Sequence, residues 1–127
     1  MRTLDQERAA FAWQRLREGR TANYTNLAKS LPALVMTSGL MQTLAFLQGK
    51  AGNRGRSEHK ELLEDILKWL ADSRVAVLDG AETSFDGAMN RFTNMTPLEY
   101  QRATEETLSF LRWVRYLAGT FSHSSEQ

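Results

Sequence analysis

Residues 96–121 read TPLEYQRATEETLSFLRWVRYLAGTF, and this stretch decides the fold class. Thr96 can accept a hydrogen bond from the first turn, Pro97 suits the first helical position, and Glu99 completes a capping box. Tyr100, Ala103, Thr107, Leu111, Val114, Ala118 and Phe121 then recur every three or four residues, with Leu108 and Leu117 widening the stripe. Start signal and period together predict one long amphipathic helix. Gly119 loosens its end, and residues 122–127 read as a frayed tail.

The same period governs the chain upstream. Ser57 caps a helix whose Leu62, Leu63, Ile66, Leu67 and Leu70 make one broad stripe, leaving Trp69 to point elsewhere and stay partly exposed. Thr3-Leu4-Asp5-Gln6 is a second capping box, opening a helix that runs to Glu18, with Gly19 suited to the left-handed residue that ends it. Ala9, Ala12, Trp13 and Leu16 line one of its faces, while Leu4 and Phe11 sit on another that is free to meet a second molecule. A further helical stretch covers 23–38, with Tyr24, Leu27, Ala28, Leu31, Leu34 and Val35 inward and a kink or break at Pro32. Gly39 ends it. Leu40, Met41, Leu44, Ala45 and Leu47 restart the pattern to about Gln48, and the run from Leu31 to Leu47 supplies the centre of the core.

Three glycines make 49–56 a loop. Val75–Leu78 reads as a continuation or fraying of the preceding helix, Asp79-Gly80 as a turn, and 85–92 as a short helix. The fold class is therefore all-α: five or six helices in one compact bundle, with 1–127 as a single domain.

The 127 residues hold 42% hydrophobic and 24% charged side chains, which excludes a disordered chain, and no cysteine, which excludes thiol chemistry and cysteine-ligated zinc. No stretch holds the apolar run of a membrane span, so the expected location is the cytoplasm. The formal net charge of +1 hides a division. Residues 1–60 carry ten Lys and Arg against four Asp and Glu, a balance of +6; residues 61–127 carry six against eleven, a balance of −5. A basic half points to a polyanion partner, and opposed halves permit identical copies to meet head to tail.

Catalysis has little to stand on. His59, in the first turn of a helix, has the position of an ordinary surface residue, and His123 lies in the tail. Glu105 and Glu106 are adjacent and diverge by about 100° around a helix, so they make no facing pair. No metal-ligand spacing and no phosphate-binding loop occurs, so neither catalytic residues nor a cofactor or metal is expected.

Binding is better supported. A glycine-rich loop carrying Lys50, Arg54 and Arg56 can approach a phosphate backbone closely, giving affinity without sequence information. Arg15, Arg17 and Arg20 form a second basic cluster, although cations are favourable at a helix C-terminus in any case. Arg112-Trp113-Val114-Arg115-Tyr116 mixes cations with aromatics able to stack on unpaired bases; burial or subunit contact is the simpler use of those rings. The competing reading is a helical adaptor that binds only protein through Phe11 and Trp69.

Three segments together resemble the small helical subunit family of the type III-B CRISPR effector, the Cmr complex. They are Thr3–Ala10 with Trp13, Leu31-Pro32-Ala33-Leu34 through Gly39-Leu40 to Leu44–Leu47, and Leu108–Ala118 with its Leu-Arg-Trp centre. The resemblance implies a non-catalytic subunit, several copies of which stack along a larger filament that holds guide RNA and cuts target RNA. Other Cmr subunits, copies of itself, and guide and target RNA are the implied partners, with no membrane. The small subunit of the type III-A complex is a near neighbour in fold and role.

Overall fold

The computed structural model describes residues 1–52 and 57–125, with side chains throughout those ranges except at 81 and 122–125. Six α-helices follow in order: α1 (Leu4–Arg17), α2 (Ala22–Ser38), α3 (Leu40–Ala51), α4 (Glu58–Leu70), α5 (Phe85–Thr93) and α6 (Pro97–Ser125), with a 3-10 turn at Gly80–Glu82 before α5. No strand occurs among the described residues.

The start signals act as read. Thr3 and Gln6 form a reciprocal capping box and Ser57 caps α4, while Thr21 and Ser84, which the sequence reading did not single out, cap α2 and α5. Thr96 and Glu99 close the box on α6: the Glu99 carboxylate accepts from the Thr96 N–H at 2.9 Å and the Thr96 hydroxyl accepts from the Glu99 N–H at 3.2 Å. Pro32 lies inside α2, which continues through it to Ser38. Gly39, at φ +89°, separates α2 from α3 in a conformation that suits glycine.

One core joins all six helices. Leu31, Leu40, Leu44 and Leu47 are buried in it, facing Leu62, Ile66 and Leu70 of α4 and Phe110, Leu111 and Val114 of α6. α6 packs chiefly on α2 and α1, and α4 is held between α3, α2 and α6.

Several local expectations need correcting. Gly49, Lys50 and Ala51 belong to α3, because buried Ala51 continues the stripe of Leu40, Leu44 and Leu47; the helix ends at Gly52. Ala45 faces solvent. Val75–Leu78 is not helical: the N–H groups of Val77 and Leu78 both donate to the Leu70 carbonyl, at 3.0 and 2.9 Å, and Val75, Val77 and Leu78 fold back into the core. The backbone of 122–125 continues α6. Trp69 is corrected most sharply. It is 1% exposed, because α4 has neighbours on three sides and buries nearly its whole circumference.

Candidate nucleic-acid interface

Which cations can reach an anionic ligand depends on which are already paired. Arg20 is not available. Its Nε and Nη2 donate to the two oxygens of Asp65 at 3.1 and 2.9 Å, and the Tyr24 hydroxyl donates to the same carboxylate at 2.7 Å. Asp65 is fully buried in α4, so this cluster pins α4 to α2 and to the link between α1 and α2. Burial first, and then the Asp65 charge, push the Tyr24 hydroxyl well above the usual tyrosine range, so it stays a proton donor. Arg15 is spent in the same region. It bonds Glu18 at 2.9 Å, lies 3.9 Å from Asp65, and stacks 5.0 Å over the Phe11 ring. Of that predicted cluster only Arg17 is exposed without an ion pair among the described residues.

Arg8 is likewise structural. Its Nη2 donates to Glu106 at 3.0 Å, and Trp69 Nε1 donates to the same carboxylate at 3.1 Å. Glu106 is 5% exposed and lies on the buried stripe of α6. Phe11 closes this junction, with ring centroids 5.3 Å from Trp69 and 5.6 Å from Phe110. The face of α1 expected to be free thus meets α4 and α6: Trp69 is buried there, and Phe11 is partly buried against it.

Lys50 is exposed at the end of α3, its Nζ 6.0 Å over the Phe46 ring. Arg54 and Arg56 lie outside the described residues. His59 is half-buried against Glu58, at 3.5 Å, and edge-on to Phe46. Among the described residues no group of three or more His, Cys, Asp or Glu is placed to hold a metal.

The basic surface that the structure brings together is on α2 and α6. Ala28, Pro32 and Met36 of α2 and Leu108, Leu111, Arg112, Arg115 and Tyr116 of α6 line a shallow groove of about 270 Å³. Lys29 precedes Pro32 and Met36 by three and seven residues, on the same exposed side of α2. Arg112 and Arg115 are exposed, Tyr116 is 67% exposed, and none of the three cations has an ion pair among the described residues. Of the two uses expected for these rings, burial within the chain is thus corrected for Tyr116 and subunit contact is left open, whereas Trp113 is half-buried and donates to Asp5 at 3.0 Å. That hydrogen bond, followed by Arg8 and the charge of Arg112, holds the Asp5 carboxyl below its usual range.

The family described as CRISPR-associated protein (Cas_Cmr5) matches residues 4–121, from the first residue of α1 to the last described side chain of α6. The chain belongs to the Cmr5 family. It is 31% identical over 122 residues to the CRISPR system Cmr subunit Cmr5 of Thermus thermophilus, covering 93% of this chain and 95% of that protein. Its fold matches the crystal structure of a CRISPR-associated Cmr5 family protein from the same organism with a TM-score of 0.70 at 27% identity, over 94% of this chain and 97% of that one. In this Cmr5-family chain, charge density along the sequence mixed arginines that join helices with arginines that face outward. The signal that separates them was present in part: Leu108, Arg112, Arg115 and Tyr116 fall at i, i+4, i+7 and i+8, beside the buried stripe rather than on it. Among the described residues no helix is long and apolar enough to cross a membrane.

Proposed function

We propose that this chain is a non-catalytic structural subunit of a type III-B CRISPR (Cmr) effector complex in the cytoplasm. Several copies stand along the complex beside its backbone filament and touch guide or target RNA through the sugar–phosphate backbone. The observation that carries this reading is the family match across the whole bundle, together with the description of the Thermus thermophilus relative as a Cmr subunit.

Lys29, Arg112 and Arg115 supply the unpaired cations for RNA, and Lys50, Arg54, Arg56 and Arg17 are retained as a second candidate set. Cations without a base-reading element suit a subunit whose sequence specificity belongs to guide pairing. The test uses the full chain and a single-stranded RNA at several salt concentrations. The Lys29→Gln/Arg112→Gln/Arg115→Gln variant loses up to three phosphate contacts, so the slope of log K against log salt falls by about 2, with an unchanged thermal midpoint. An unchanged affinity and slope removes this face from the proposal.

A further inference from the structure

We propose that the groove between α2 and α6 is a subsite for one unpaired nucleotide, whose base stacks on Tyr116 and whose flanking phosphates bind Arg112 and Arg115. The inference rests on the RNA-contact reading above and names the part of the nucleic acid that this face takes.

Three observations point to a nucleotide. Tyr116 presents its ring to solvent beside Met36, which is 72% exposed, so one end of the groove is an open, apolar surface rather than a filled contact. Pro32 and Leu108 continue that surface. Arg112 and Arg115, one turn apart on the same rim, have no ion pair among the described residues, so two anion sites flank one stacking surface. The nearby carboxylate, Asp5, borders the adjoining recess formed with Arg112, Trp113 and Tyr116, and is occupied by Trp113 at 3.0 Å and Arg8 at 3.2 Å.

The groove spans a little over two helical turns on α6, from Leu108 to Tyr116, and two of its five α6 side chains are arginines, which suits a polyanion better than the apolar anchors of a docked partner helix. Its walls hold no Asn, Gln, Asp or Glu, and its two arginines, the side chains able to read a guanine edge, are assigned to the flanking phosphates. The subsite therefore accepts any base, purines best because they stack over the larger area.

The experiment compares the full chain with Tyr116→Ala and Tyr116→Phe, using oligoadenylate and a wholly abasic strand of equal length at low salt. Tyr116→Ala weakens oligoadenylate binding about tenfold, Tyr116→Phe retains it, and neither changes abasic-strand binding. A 2-aminopurine placed in the strand changes its fluorescence on binding to the natural chain and to Tyr116→Phe, and not to Tyr116→Ala. Equal binding of oligoadenylate by all three, with the salt dependence intact, overturns the subsite and leaves the backbone reading standing. Failure of either strand to bind overturns both. A change in sedimentation of Tyr116→Ala without any change in strand affinity assigns the ring to a neighbouring protein copy and also overturns the subsite.

Discussion

The junction of α1, α2 and α4 and the outer face between α2 and α6 both contain arginines, and they use them in opposite ways. At the junction Arg20 is covered, bonded to a carboxylate with no exposure of its own, and shares that carboxylate with a buried tyrosine. On the outer face Arg112 and Arg115 extend into solvent beside an exposed ring. A buried ion is tolerated only when paired and hydrogen-bonded, so the first region ties charge to folding. The second region has nothing to lose in the fold when its charge is removed, which leaves that charge for a ligand. Net charge per segment therefore overstates the cationic surface of this protein.

The largest effect is expected at Asp65. Asp65→Ala strands the buried Tyr24 hydroxyl and leaves the Arg20 guanidinium with only Glu61, 3.6 Å away, costing about 3 kcal/mol; urea denaturation reads the loss. A cost under about 1 kcal/mol would mean that the junction relaxes and that its charge is not structural. Next, Arg20→Gln and Arg115→Gln set the two regions side by side. The first should cost about 2–3 kcal/mol and the second stay within about 0.5 kcal/mol, so similar losses would erase the distinction.

Tyr100→Phe is a smaller test. The Tyr100 hydroxyl accepts from the Met41 N–H at 2.9 Å, supplying from α6 the cap that Gly39 cannot give α3. Its loss should cost about 1–2 kcal/mol by denaturation, with RNA binding unchanged. The smallest effect concerns Glu99, whose carboxyl is held below its ordinary 4.5 by the Thr96 N–H first and Arg91 beside it. The folded state thus favours the charged form. Its contribution is complete above pH 4.5 and disappears as pH falls through the lowered value. Glu99→Gln keeps a capping side chain without the charge, so the gap in thermal midpoint between the two proteins should be present at neutral pH and close in acid. A gap that widened in acid would reverse the assignment.

Helix starts were legible because their signals are local: Thr3, Ser57 and Thr96 each cap a turn within three residues of themselves. The apolar stripes of α2, α4 and α6 were legible for the same reason. The width of each buried face was not. Trp69 stands three residues after Ile66 and seven after Leu62, at the edge of the stripe, so its burial was within reach of the period, but that α6 and α1 cover that edge was not. Glu106 stands between Ala103 and Phe110 on buried turns of α6, which was a readable sign of burial, but its Arg8 partner is 98 residues distant.

The sequence alone determined the helical class, most helix limits and the central apolar run, since each depends on neighbours within one or two turns, and the family resemblance, which needs only the order of three segments along the chain. Only the tertiary structure decided which cations are free, which aromatics face outward and what caps α3. Those outcomes depend on pairs formed across 45 residues for Arg20 and Asp65 and 59 for Met41 and Tyr100. Whether a charge meets a carboxylate or water is settled when helices pack, and helical periodicity contains no term for the neighbour it will meet.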